Sequence, residues 1–132
     1  MDDQLQLHKV STHIGAEVSG IDFSVPLKSE LELALKNALS RYGVLFIRDQ
    51  ALEAEQLLSL AKIFGEPLPN SHPKFSSIDG YPEIAVVVND QDNPPDINVW
   101  HTDTTFMSVP AGVCVLKCVE CPSEGGDTLW SS

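Results

Sequence analysis

The sequence predicts a mixed α+β domain. Two helical patterns show apolar residues recurring at three- and four-residue intervals, each closed by a glycine. Between and after them lie short apolar or alternating runs of strand length, punctuated by Gly, Pro, Asp and Asn. No repeat, low-complexity tract or linker divides the 132 residues, so residues 1–132 read as part of a single domain.

Leu5 to Val18 predicts two short strands around Ser11-Thr12, with Gly15 and Gly20 as punctuation. Asp22 to Pro26 predicts a turn. Ser29 to Tyr42 predicts a helix, with Ser29 and Glu32 as a capping box. Leu31, Leu35 and Leu39 form its apolar stripe beside Ala34 and Ala38, and Gly43 ends it. Val44 to Ile47 is an apolar run short enough for a buried strand. Glu53 to Phe64 predicts a second helix with Leu57, Leu60, Ala61 and Phe64 inward. Glu53 and Glu55 suit the positive end of its dipole. Both helices read as packing elements without chemistry.

Glu66 to Pro82 carries four prolines and predicts a long loop, the kind that often serves function. Ile84 to Val88 predicts a buried strand. Asp90 to Asp96 is a polar loop with faint calcium-loop spacing, but it lacks the glycine and terminal glutamate of that pattern. Val99 to Phe106 and Val113 to Val119 predict strands, and a further one begins after Gly125-Gly126.

Composition narrows the function. Hydrophobic residues make up 42% of the chain, which fits a globular protein with a core. Nineteen acids against eight bases give a net charge of −11. That field repels phosphate backbones, so nucleic acid is not an expected partner. No apolar run reaches membrane-span length. The acidic start, Met1-Asp2-Asp3-Gln4, lacks the apolar centre of a secretory signal, and the expectation is a cytoplasmic protein. Cys114, Cys118 and Cys121 are odd in number, which argues against a disulfide framework. They read as small packed hydrophobes rather than metal ligands. His8 and His13 read as surface or packed histidines.

The chemistry concentrates in Trp100-His101-Thr102-Asp103-Thr104-Thr105-Phe106. On a strand, residues two apart share a face, so His101 and Asp103 point the same way. One imidazole nitrogen and one carboxylate oxygen can supply two ligands of a facial-triad iron site. Trp100 and Phe106 could exclude water from it. The competing reading is a hydrogen-bonded His–Asp pair. A zinc hydrolase lacks a third ligand at recognisable spacing.

Linked motifs then carry a resemblance. Ile14-Gly15-Ala16, Phe46-Ile47-Arg48-Asp49-Gln50 and Phe64-Gly65-Glu66 come first. Asn93-Pro94-Pro95-Asp96, the His101-Thr102-Asp103 stretch, Pro110-Ala111-Gly112 and Gly125-Gly126-Asp127-Thr128-Leu129-Trp130 follow in order. Together they resemble the taurine dioxygenase family of Fe(II)- and 2-oxoglutarate-dependent oxygenases. The resemblance implies a partial double-stranded β-helix (jelly roll) with two N-terminal packing helices. It implies that His101 and Asp103 bind iron, that Thr128 binds 2-oxoglutarate, and that His72 faces the substrate. It implies O2 and a small sulfonate, sulfate ester or carboxylate as partners, with release of succinate, CO2 and sulfite or sulfate. The sequence leaves room for a homo-oligomer.

Two positions depart from the taurine pattern. Phe75 stands where the taurine enzymes have tyrosine, and Ile97 where they have asparagine. Neither side chain can hydrogen-bond a substrate, which points away from taurine itself. The family's second iron-binding histidine and its 2-oxoglutarate-pairing arginine lie downstream of the matched motifs. No His or Arg follows Asp103 here. The expectation is therefore the N-terminal part of a longer enzyme. The alternative is a truncated, non-catalytic fragment with no activity by itself.

Overall fold

The computed structural model describes residues 4–95 and 99–132. Its first two strands are β1 (Gln6–Lys9) and β2 (Ala16–Ser19), paired antiparallel with Leu7 opposite Val18. Helix α1 (Ser29–Tyr42) then returns the chain to β3 (Leu45–Ile47), which pairs parallel to β2. A parallel neighbour needs such a crossover. Strand order is β1-β2-β3. Helix α2 (Ala54–Phe64) follows, then a separate hairpin of β4 (Ser76–Ile78) and β5 (Tyr81–Val86). The molecule is thus mixed α and β, with two helices and two small sheets among the described residues.

The core forms where both helices meet the first sheet. Val18, Ile21, Phe23, Leu35, Leu52, Leu60 and Ile63 are buried together, with Leu5, Leu7, Leu31, Leu45, Ile47 and Val115 packed around them. Leu35 is fully enclosed. Burying such a side chain contributes about 1.5–3 kcal/mol. The predicted stripe of α1 lies inward as expected. On α2, Leu60 is buried, but the second buried position is Ile63, which the predicted stripe omitted.

Polar groups tie the turns to this core. Gln50 accepts the Phe23 N–H at 3.0 Å and donates to the Ile21 carbonyl at 3.3 Å. One side chain thereby satisfies two backbone groups of the segment after β2. Gly20 stands at φ +79°, and a Cβ there would lie 2.3 Å from the Gln4 carbonyl oxygen. Only glycine fits that approach.

Several expectations need correction. Ser29 does not cap α1: the carbonyl of Lys28, extended after Pro26-Leu27, accepts the Leu31 and Glu32 N–H groups, and Ser29 falls inside the first turn. The capping box belongs to α2, where the Glu53 N–H donates to Gln56 Oε1 at 2.7 Å. The long loop of residues 66–82 is interrupted by the hairpin, because Asp79-Gly80 is a two-residue turn and Gly80 takes φ +79°. The strand expected at Ile84 to Val88 begins earlier, at Tyr81, and stops at Val86. The strands expected at Val99 to Phe106, Val113 to Val119 and after Gly126 are not formed. Among the described residues none of them has a ladder partner, and an unpaired strand leaves its backbone groups unsatisfied. No helix among the described residues is long and apolar enough to cross a membrane.

Candidate metal and substrate site

His101 and Asp103 do converge, though not by strand alternation. Residues 103–106 form a turn. Thr104 adopts φ +54°, unusual for a β-branched residue. Its carbonyl accepts the Met107 N–H at 2.9 Å, and its Oγ1 accepts the Ala111 N–H at 2.7 Å. Those two bonds hold the strained turn closed. On it, His101 Nε2 lies 3.3 Å from Asp103 Oδ1, both side chains half-exposed.

The other ring nitrogen fixes the chemistry of this pair. His101 Nδ1 lies 2.8 Å from the Val99 carbonyl oxygen, which can only accept. Nδ1 therefore carries a proton, and Nε2 is the ring nitrogen that faces Asp103. A lone pair facing a carboxylate oxygen requires a proton or a cation between them. A backbone carbonyl holding the distal N–H is the usual support of a metal-binding histidine. Two cis ligands of an octahedral ion, bound at about 2.1 Å, lie about 3 Å apart. The donor types and their spacing fit a divalent ion.

Asp103 has a further neighbour that sequence reasoning missed. The Cys114 thiol is pushed up to about 11, first by partial desolvation, then by its hydrogen bond to Asp103 and the charge of that carboxylate. Cys114 thus stays a thiol at neutral pH. No group of three or more His, Cys, Asp or Glu side chains forms a metal cluster among the described residues. Trp100 and Phe106 do not shield the pair: they are 70% and 84% exposed. His8 and His13 are exposed, and all three cysteines are free and exposed.

His72 lies apart, in the loop before β4. Its ring stacks on Phe75, centroids 4.1 Å apart and planes 17° from parallel. Asn70 organises that loop: its Oδ1 accepts the His72 N–H at 3.0 Å, and its Nδ2 donates to the Phe75 carbonyl at 2.8 Å. An asparagine two residues before the turn is the signal that could have found it. Thr128 lies elsewhere again, on a shallow, mostly apolar groove of about 270 Å³ with Ile14, Gly15, Phe46 and Trp130. The structure joins His101 to Asp103 and leaves Thr128 and His72 in their own settings. Ile97 lies outside the described residues. The faint calcium loop is a closed turn, since Asp90 Oδ1 accepts N–H groups from Asp92 and Asn93.

Relatives share this arrangement of sequence. An α-ketoglutarate-dependent sulfate ester dioxygenase of Pseudomonas putida is 34% identical over 98% of the chain, which spans 42% of that relative. An alkylsulfatase of Acinetobacter baylyi is 36% identical over 98% of the chain, which spans 40% of it. Among solved structures, a taurine dioxygenase from Burkholderia xenovorans superposes on 59% of the chain with a TM-score of 0.54 at 38% identity, and 28% of that structure is covered. The chain therefore spans about two-fifths of the length of these two enzymes and less of the solved structure. The family described as taurine catabolism dioxygenase TauD, TfdA matches residues 6–132, so nearly every position named above falls within it, and the chain belongs to that family.

Proposed function

We propose that this chain is the N-terminal part of an Fe(II)- and 2-oxoglutarate-dependent dioxygenase acting on a sulfate ester or a related organosulfonate. The carrying observation is the 3.3 Å convergence of His101 Nε2 and Asp103 Oδ1, with Nδ1 committed to the Val99 carbonyl. Together with 2-oxoglutarate and O2, iron there would supply the oxidising power to hydroxylate a substrate carbon, yielding succinate and CO2. Hydroxylation beside a sulfate-ester oxygen or a sulfonate gives a product that sheds sulfate or sulfite.

The chain's own residues would have separable tasks. His101 and Asp103 hold the ion, and the Thr104 turn fixes their angle. Thr128 would hold a carboxylate of 2-oxoglutarate, and His72 would meet the anionic head of the substrate. Phe75 gives that loop an apolar face with no hydroxyl, which favours an alkyl group over the aminoethyl group of taurine. The names of the two relatives, a sulfate ester dioxygenase and an alkylsulfatase, support the same preference. We place the second iron histidine and the 2-oxoglutarate arginine downstream of Ser132, within a completed jelly roll.

Reading the coding sequence past Ser132 tests the first step. A histidine and an arginine in that order support it, and a stop codon contradicts it. For the longer enzyme, sulfate release from an alkyl sulfate with Fe(II) and 2-oxoglutarate tests the second. A second reading applies to these 132 residues alone. Among the described residues no third His, Cys, Asp or Glu joins His101 and Asp103, and two ligands bind iron weakly, so this reading makes the isolated chain non-catalytic. Tight binding of both Fe(II) and 2-oxoglutarate in equilibrium dialysis would contradict that.

A further inference from the structure

The His72 loop is built more tightly than an exposed loop requires. Asn70 spends both ends of its side chain on it: Oδ1 on the His72 N–H, Nδ2 on the Phe75 carbonyl and on Ser77 Oγ at 3.3 Å. The Asn70 N–H in turn donates to the Pro82 carbonyl at 2.8 Å, and Ser77 Oγ donates to the same oxygen at 3.2 Å. The loop is thereby anchored to the β4–β5 hairpin. Within it the Phe75 N–H reaches the His72 carbonyl at 3.3 Å, and the ring stack closes over that turn. The Lys74 N–H donates to His72 Nδ1 at 3.3 Å. Nδ1 is then an acceptor, and the proton of the neutral ring sits on Nε2.

We propose that Phe75 and Asn70 are positioning residues that present His72 Nε2–H as a fixed donor to an anionic sulfate- or sulfonate-type head group. This deepens the oxygenase reading and rests on it for the identity of the head group. A ring free to rotate would lose side-chain entropy on meeting the anion, and the stack removes much of that loss beforehand. The arrangement also explains how phenylalanine can replace a hydrogen-bonding tyrosine without leaving the site unbuilt. Phe75 acts on the substrate through His72, by stacking and not by a hydroxyl. His101 uses its ring the other way round, with Nδ1 bonded to a backbone carbonyl and Nε2 turned to Asp103. The two histidines are thus set by backbone contacts for opposite tasks, one to bind a cation and one to meet an anion.

NMR of the histidine-labelled chain tests the proposal without any turnover. His72→Gln assigns the resonances. The stack predicts His72 ring protons shifted upfield of those of exposed His8 and His13, with cross-relaxation to the Phe75 ring and the proton on Nε2. Phe75→Leu should abolish the upfield shift, Phe75→Tyr should restore it, and Asn70→Ala should weaken it. Titration with methyl sulfate should perturb His72, with apparent affinity about threefold to tenfold weaker in Phe75→Leu, the scale of one hydrogen bond. His72 resonances indistinguishable from those of His8 and His13 would overturn the proposal. So would equal methyl sulfate responses in the wild type and Phe75→Leu, or no response in either. If Phe75→Leu does not fold, Asn70→Ala and Phe75→Tyr decide the same question. Failure of the oxygenase reading would show separately, as a longer enzyme that releases no sulfate while the His72 stack persists.

Discussion

Residues 4–86 and residues 99–132 use the same kinds of side chain and reach different ends. In the first region Val18 is 4% exposed and Leu35 0%. In the second, Val119 is 85% exposed, Phe106 84% and Leu129 70%. Both regions alternate apolar and polar residues at strand spacing. The first builds paired strands because α1 carries the chain back beside β2, so every ladder has a partner within a few dozen residues. The second offers comparable sequence patterns and no partner strand among the described residues. Secondary structure in a sheet belongs to pairs of segments, and one segment's pattern does not fold it alone. Yet the His101–Asp103 pair forms in the second region, because a local turn builds it.

The largest expected effect lies at that pair. In the longer enzyme, Asp103→Ala should lower 2-oxoglutarate turnover more than about a hundredfold, beyond what loss of a supporting partner of a metal ligand costs. The unfolding midpoint of residues 4–86 should not move. Turnover is read as succinate release and stability by circular dichroism in denaturant. Retained turnover would remove Asp103 from the site, and a large loss of stability would break the separation of the two regions.

Next comes the packed core. Leu35→Ala should cost about 2–5 kcal/mol in the chain as it stands, since Leu35 is wholly enclosed. Leu116→Ala, at 65% exposure, should stay within about 0.5 kcal/mol. Urea titration of both variants gives the comparison directly. Equal losses would mean that residues 99–132 contribute to the same cooperative unit.

The same contrast sets what was legible in the sequence. Helix α1 could be read residue for residue, because its stripe and its glycine stop are local signals. Its cap could not, because Ser29 and Lys28 compete for the start and the extended backbone after Pro26 favours Lys28. The β4–β5 hairpin was legible in Asp79-Gly80 but was masked by the prolines around it. His101 and Asp103 were named for a strand geometry that is absent. A turn at Thr104 brings them together instead, and no periodicity reports a positive φ on threonine. The influence of Asp103 on the Cys114 thiol spans eleven positions, beyond the reach of any local pattern. The linked motifs carried the family because their order survives where strand prediction fails.

A smaller effect tests whether the first region is fixed by its glycines as well as by its core. Gly20→Ala places a methyl 2.3 Å from the Gln4 carbonyl oxygen at φ +79°. The loss should be about 1–3 kcal/mol, from strain and from displacement of the edge of β1. Urea titration checks it. A neutral substitution would show that residues before Gln6 are free to move away.

The smallest effect lies at the boundary between the regions, where Asp90 closes a turn just before residues 96–98. Its Oδ1 accepts the Asn93 N–H at 2.7 Å, the Asn93 side-chain amide at 3.0 Å and the Asp92 N–H at 2.9 Å. The Asn93 backbone bond and then the Asn93 amide hold the Asp90 carboxyl below its ordinary value of 3.8. In an unfolded chain the group titrates at about 3.9. The folded form therefore binds the proton less readily, and its advantage is present above that value. It is lost as pH falls through the depressed one. The Asn93 amide should stay shifted and slow to exchange from pH 7 down past the ordinary carboxylate value, and lose that protection only as the depressed value is crossed. Asp90→Asn should shed it at every pH, because a neutral amide oxygen is a weaker acceptor for three N–H groups. If Asn93 keeps its protection after the Asp90 carboxyl carbon resonance shows that the group has taken its proton, the turn is held from outside by residues 99–132, and the boundary drawn between the two regions is in the wrong place.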